Sequence, residues 1–495
     1  MGRWQQLNNA SVPDRIQAER ERFISSIKDR DVLRLASSQH PLKKPCTFFQ
    51  PAIQGGYNIC YFVEFAATGQ KWTVRIPIHP CLAHDGRSKL ASEVTTMKFL
   101  GVHADIPIPT IRAYSLDGAD NPLSRYIIVD YIEGTQLSSV NIQLLEKEKQ
   151  DQLYKSLAKI LLQLRRLTFP SFGRLYRAGG NELRVSNDIT TKDINMQELE
   201  GLDPRRIQQH CYGTRDFLPT ASHYTETLIR TAYNAFFKGT DSVDPDMIDS
   251  SLYHLDLFRQ HAAFWLDPKT SPVQFALSHG DFAPDNILVD EDTMEVVGVL
   301  DWGWSRVVPV QYFAPPLWLK HADVQSLAWK HAYDGYVARE LEVFLSVVRA
   351  EERRAYKDST LADQWDRTKH DGGFLMAHAL ENWHDMDAVA FRYLNARYYG
   401  GTSDLEGRMT QFLQDDPLRG LVVDMKARQA RGSGGGGGGE APCEAEQALS
   451  VRSRIVSKLW PGTSALQGSM MLLTTGVGYG LWRLALASAR RPPRM

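Results

Sequence analysis

The sequence predicts an α+β fold, a small antiparallel sheet with one helix followed by a larger, mostly helical part. Three observations predict it. Short runs rich in β-branched and aromatic residues crowd residues 48–134. From residue 145 onward, apolar residues recur instead at three- and four-residue spacing, the period of an amphipathic helix. A polar loop, HGDFAPDNILVD (residues 279–290), followed by VLDWGW (299–304), interrupts that helical half with two short apolar strands. With 495 residues and 43% hydrophobic content, the chain is long enough to bury a large core and to hold more than one domain. A net charge of −1 supplies no basic field for nucleic acid, so no nucleic-acid partner is expected.

Taken in order, residues 1–44 form an N-terminal extension and 45–133 the small lobe. Phe48-Phe49, the turn Gln54-Gly-Gly-Tyr-Asn58 and the run from Ile59 to Phe65 read as strand, glycine turn and strand. Trp72-Thr-Val-Arg-Ile76 is a third, β-branched strand, stopped by Pro77. Residues 87–100 read as a helix with Leu90, Val94, Met97 and Leu100 on one face and Gly101 as the stop. Glu93 lies among those apolar neighbours, and a carboxylate on an inward face needs a partner. Arg75 is the natural candidate. Residues 124–134 carry an apolar core, closed by Glu133-Gly134, and read as a buried strand.

The large lobe spans 134–428. Helical periodicity appears over 145–167, 221–238, 245–266, 323–348 and 372–394, with Arg165-Arg166 as a solvated flank of the first. Residues 170–215 are polar and glycine-rich without clear periodicity, and read as an insertion near the substrate cleft. In the loop, Asp281 and Asn286 lie five positions apart, the separation of Asp and Asn in the kinase catalytic loop H-R-D-x-x-x-x-N. Pro284 between them favours a loop over a helix. Residues 287–289 and 294–300, around the turn Glu291-Asp-Thr293, form a hairpin that returns Asp301 beside Asn286. Phosphoryl transfer needs an acid at the incoming hydroxyl and oxygen ligands for magnesium, and this spacing supplies both.

HGDFAPDNILVD and VLDWGW resemble the aminoglycoside phosphotransferase and choline kinase group, which has a protein-kinase-like fold; the likeness is strongest with fungal-type members and spans residues 45 to about 420. The resemblance implies Asp281 as catalytic base and Asn286 and Asp301 as magnesium ligands; His279 reads either as orienting the loop by hydrogen bonding or as a satisfied core histidine, and one side chain can do both. It also implies that Gly55, Gly56 and Asn58 approach the phosphates of ATP, and that Arg75, where the family carries lysine, contacts them while paired with Glu93. The segment 124–134 becomes the hinge between the lobes, whose main chain at Val129, Asp130, Tyr131 and Ile132 meets the adenine. ATP and Mg2+ are therefore the expected cofactors.

After Asp301 the chain reaches Tyr312-Phe-Ala-Pro-Pro316 quickly, and no Ala-Pro-Glu follows, which favours a small hydroxylated acceptor over a protein. Trp302, Trp304, Trp383, His384, Asp385 and Asp387 are candidate acceptor contacts, suited to a cationic metabolite. Two other readings stay open, a kinase-like binding or adaptor protein with weak or lost turnover, and a protein kinase. The acceptor's identity and the oligomeric state are left open.

Five scattered cysteines without C-x-x-C spacing point to a reducing, cytoplasmic compartment and no zinc site. Residues 429–446, with six consecutive glycines, read as a flexible linker. In the tail, 447–495, the eighteen residues 465–482 carry no charge, and a basic end follows. Residues 465–489 are thus a candidate membrane contact, with an anchor to an intracellular membrane and a peripheral tail both open.

Overall fold

The computed structural model describes residues 14–432, apart from 119–120, 180–181, 213–219, 240–242, 266–273 and 321. The first described residues form helices α1 (Asp14–Ser26) and α2 (Asp29–Gln39). The small lobe follows as strands β1 (Thr47–Gln54), β2 (Asn58–Phe65), β3 (Gln70–Pro77), β4 (Ile111–Leu116) and β5 (Arg125–Asp130). They form one antiparallel sheet in the order β1-β2-β3-β5-β4. Its apolar side chains meet α1 and α2, so that Ile27, Val32 and Ala36 share a core with Val63, Trp72 and Val74. The extension before the sheet is therefore part of the lobe's hydrophobic core.

Helix α3 (Arg87–His103) lies between β3 and β4 in sequence and buries Leu90, Val94, Met97 and Leu100, the face that the periodicity predicted. It does not stop at Gly101. It ends at Ala104, which turns extended with φ −142° and ψ 149°, its N–H still bonded to the Leu100 carbonyl. The packed face outweighs the cost of one interior glycine, about 1 kcal/mol.

In the large lobe, β6 (Thr135–Gln136) is followed by α4 (Lys147–Arg166), β7 (Thr168–Phe169) and the hairpin β8 (Leu175–Arg177) and β9 (Leu183–Val185). Helices α5 (Lys192–Leu199), α6 (Pro204–Tyr212), α7 (Ala221–Lys238) and α8 (Ile248–Trp265) come next. Arg165 and Arg166 are not a solvated flank. Arg165 is buried against Gln274 and Gln364, and Arg166 reaches the buried Glu352, because the end of α4 is covered by the helices that follow.

Strands β10 (Phe275–Ser278), β11 (Ile287–Val289), β12 (Val296–Val299) and β13 (Arg306–Pro309) make two small sheets, β13-β10-β7 and β12-β11-β6. The expected hairpin is there, with Ile287 opposite Val299. Met294 is not in its second strand, since its φ of 59° places it in the turn.

The run 323–348 is not one helix. It comprises α9 (Val324–Leu327) and α10 (Lys330–Tyr336), separated where Trp329 becomes extended, then a π-helical turn Val337–Leu341 and α11 (Glu342–Tyr356). After α12 (Thr360–Thr368), the run 372–394 also breaks, because Asn382 (φ −134°, ψ 81°) ends α13 (Gly373–Glu381) before α14 (His384–Val389). A second compact unit comprises residues 244–249 and, among the described residues, 408–432; in it, helix Pro417–Gly432 packs on the turn Pro245–Met247. Among the described residues no helix is long and apolar enough to cross a membrane. The expected linker starts inside that last helix, and its remainder and residues 465–489 lie outside the described residues.

Candidate active site

A cleft of about 1860 Å³ separates the sheet of the small lobe from the loop that follows β10. At its floor the chain leaves β10 through Gly280, whose φ is 77°. A Cβ there would stand 1.9 Å from the Trp304 carbonyl oxygen, so the loop can cross the chain after Asp301 only with glycine. His279 is 2% exposed; its Nε2–H donates to the Leu300 carbonyl at 2.8 Å, and Nδ1 accepts the Asp281 N–H at 3.2 Å. Burial pulls this imidazole below its usual range and outweighs the nearby carboxylates. It is thus a neutral ring of fixed tautomer that sets the path of the loop.

Pro284–Asn286 form a single 3-10 turn. Asn286 Nδ2 donates to the Asp281 carbonyl at 2.9 Å and to its Oδ2 at 3.3 Å, which leaves the amide oxygen for another partner. The Leu300 N–H donates to the Asn286 carbonyl at 2.8 Å, which brings Asp301 beside Asn286 as the hairpin predicted. Asp301 is left-handed, with φ 57° and ψ 64°, a conformation that is costly for a residue with a Cβ.

From the other wall, Arg75 forks between Glu93 and Asp301, pairing with both carboxylates. With its amide oriented toward the guanidinium, Asn58 accepts from Arg75 Nη2 at 2.7 Å and from Nε at 3.2 Å. Burial works to raise the Asp301 carboxyl, yet Arg75 and then Lys89 outweigh it and hold it well below the usual carboxylate range. Lys89, one helical turn before Glu93, is 7% exposed and sits 4.5 Å from the Trp304 ring centre. Burial lowers its own pKa, partly offset by Glu93 and Asp301.

The Gly55 N–H is used within the glycine turn, donating to the Asn58 carbonyl at 2.8 Å, and Arg20 of α1 holds the Gly55 carbonyl at 3.0 Å. Gly56 faces open space. At the hinge, the Asp130 and Tyr131 amides are taken by the Thr110 and Lys71 carbonyls, each at 3.0 Å, and Arg112 clamps the Asp130 carboxylate. Val129 sits within the sheet, paired with Thr73. Ile132 follows them on the cleft wall, its side chain over Gly298 of the hairpin.

Of the proposed acceptor contacts, Trp304, Trp383, His384 and Asp385 line the cleft. Trp302 does not: it is fully buried behind His279, with its indole N–H on the Val299 carbonyl. Asp387 does not line it either, and pairs with His254 at 2.9 Å. The pattern of tryptophans and acids could not distinguish these, because helix breaks decide which way each residue faces.

Among the cleft residues that sequence reasoning missed are two charged neighbours of the loop. Lys192, the first residue of α5, donates to Asp281 Oδ1 at 3.0 Å. Asp193 accepts the Trp383 N–H and has its carboxyl pushed up to about 6, chiefly by burial. Thr191 was an available signal, since its hydroxyl accepts the Ile194 N–H as an N-cap.

Residues 52–312 match the model of the phosphotransferase enzyme family, more than half of the chain. A subtelomeric hrmA-associated cluster protein of Aspergillus fumigatus is 31% identical over 159 residues, 31% of this chain and 30% of that protein. The clavilactone A biosynthesis cluster protein Y of Ampulloclitocybe clavipes is 28% identical over 242 residues, 48% of this chain and 54% of that protein. The chain thus spans between about a third and a half of these relatives' length. Among solved structures, a GDP complex of an aminoglycoside 2'-phosphotransferase-IIIa mutant aligns with 73% of this chain and 94% of its own, at 15% identity and a TM-score of 0.40. With its two-lobed, protein-kinase-like architecture and a family match running from the glycine turn through the Asp281 loop, the chain belongs to the phosphotransferase enzyme family.

Proposed function

We propose that this phosphotransferase moves the γ-phosphate of ATP to a hydroxyl of a small molecule. One observation carries the reading: Asp281, Asn286 and Asp301 converge on one wall of the cleft, and the Arg75–Glu93 pair meets them from the other. Asp281 accepts and orients the proton of the acceptor hydroxyl. Asn286, through the amide oxygen its own hydrogen bonds leave over, and Asp301, through its carboxylate, form a hard-oxygen pair suited to magnesium, which completes its shell with water and phosphate. When bound, that ion neutralises charge on the transferred phosphoryl group. Arg75 and the amides around Gly56 serve the nucleotide phosphates.

A small acceptor is supported by the path after Asp301. The chain makes one 3-10 turn, Trp302–Trp304, and joins the sheet as β13, with no room for a long docking segment. A binding protein with weak turnover is the second reading, favoured by Arg75, whose donors are engaged by Glu93, Asp301 and Asn58. For location, the proposal is a cytosolic enzyme that touches an intracellular membrane through residues 465–489. Cell fractionation with and without that tail tests it, and an unchanged distribution refutes it.

Magnesium-dependent ATP turnover against a panel of hydroxylated metabolites separates the main readings. Turnover that falls in Asp281→Asn supports the transferase; ATP binding with no acceptor-dependent rate in the wild type supports the binding protein.

A further inference from the structure

We infer that Lys192 supplies the cation that faces the transferred phosphoryl group on the acceptor side, delivered by α5 and not by the catalytic loop. The inference rests on the phosphotransferase reading above and adds a residue to its machinery. Phosphoryl transfer spreads negative charge over three equatorial oxygens between the attacking and leaving oxygens, and the site must match it with fixed positive charge. The loop offers none, since positions 282–285 are Phe, Ala, Pro and Asp. Arg75, held by Glu93, Asp301 and Asn58, stands on the opposite wall, where it serves the nucleotide and not the acceptor side. Lys89 is buried against Trp304, and Arg306 is paired with Glu381. Lys192 lines the cleft, a quarter exposed at 25%, with Nζ 3.0 Å from Asp281 Oδ1, where the attacking oxygen must come.

Its placement is built. Thr191 caps the helix; Asp193 is tied to the Trp383 N–H; and Asn195 bonds the Cys81 carbonyl at 3.0 Å and the Ala83 N–H at 2.9 Å. The start of α5 is thus pinned to both lobes, and the ammonium is held near the base without ordering a loop during reaction.

The step balances. The acceptor O–H bond breaks and its proton passes to the Asp281 carboxylate, while the new O–P bond forms. The terminal P–O bond of the nucleotide breaks, and its electron pair leaves on the β-phosphate oxygen. Lys192 keeps its protons throughout. As Asp281 is neutralised, the ion pair at 3.0 Å weakens and the ammonium's attraction passes to the phosphoryl oxygens.

The test uses the full chain with Lys192→Met and Lys192→Arg, magnesium-ATP hydrolysis with water as acceptor, and binding of magnesium-ADP with and without aluminium fluoride, which mimics the planar phosphoryl group. Lys192→Met is expected to lower kcat by about 100-fold and to lose most of the tightening that aluminium fluoride confers, as for loss of one charge-stabilising donor. Its magnesium-ATP affinity should stay within about threefold of wild type, and Lys192→Arg should keep turnover within about tenfold. Equal melting temperatures exclude misfolding as the cause of a loss. Unchanged kcat and unchanged aluminium fluoride tightening in Lys192→Met overturn the proposal alone, as does a faster variant, which would make Lys192 a brake. A wild-type protein that binds no magnesium-ATP overturns the phosphotransferase reading and the proposal with it.

Discussion

Arg75, proposed to meet the nucleotide phosphates, also has a structural part. Its side chain is 12% exposed, Glu93 is 3% exposed, and Asp301 completes the cluster. Arg75→Ala would leave two carboxylates without their shared cation, so a loss of about 3–5 kcal/mol in chemical denaturation is expected. Arg75→Lys should recover part of this, because an ammonium keeps the charge but lacks the fork that reaches both acids. Asp193 gives a pH signature. Its folded pKa of about 6 lies above the usual carboxylate value, so between about pH 4 and pH 6 the folded state holds more protons than the unfolded one. Stability should therefore fall as pH rises through that window, and Asp193→Asn should remove up to about 3 kcal/mol of the slope in denaturation curves. For Asp301 the sign is opposite: its lowered pKa contributes stability above the ordinary carboxylate range that is lost only in strong acid. At the reacting centre, Asp281→Asn is expected to cut turnover by roughly 100- to 10,000-fold while leaving nucleotide affinity intact, read by single-turnover kinetics and calorimetry.

Among elements, the loop and hairpin after β10 carry most of the information. The hairpin was legible because two short apolar runs flank a polar turn, and its pairing needs only local backbone bonds. Gly280 could not be read as a crossing point, since the Trp304 carbonyl that excludes a Cβ comes from 24 residues later. Gly280→Ala should cost about 3 kcal/mol or more in stability and abolish turnover, measured by thermal melts and activity together. Helix α5 was the element least visible beforehand. Its eight residues are too few for periodicity to emerge, and what places Lys192 is anchoring to distant partners, Cys81, Ala83 and Trp383.

For the whole molecule, the cleft joins a sheet built before residue 131 to a loop built after residue 279, so occupancy should couple to global stability. Magnesium-ATP at about 100 times its Kd is expected to stabilise the protein by about 2.7 kcal/mol in thermal or chemical unfolding. Asp301→Ala should remove the magnesium dependence of that gain. An equal gain with and without magnesium in the wild type would refute the assignment of Asn286 and Asp301.

Sequence patterns were enough for the α+β class, for strands β1, β2, β3 and β5 and helix α3, for the Arg75–Glu93 partnership and for the meeting of Asp281, Asn286 and Asp301. These follow from local periodicity, from turn chemistry and from the cost of leaving a buried charge unpaired. Tertiary packing alone decided that Trp302 is core while Trp304 faces the cleft, that Asp387 turns away to His254, that Arg75 also grips Asp301, and that Lys192 stands beside Asp281. Each of these depends on where a helix breaks or which distant backbone holds it. HGDFAPDNILVD and VLDWGW therefore carried the chemistry in one dimension, while the charge that surrounds it was assembled in three.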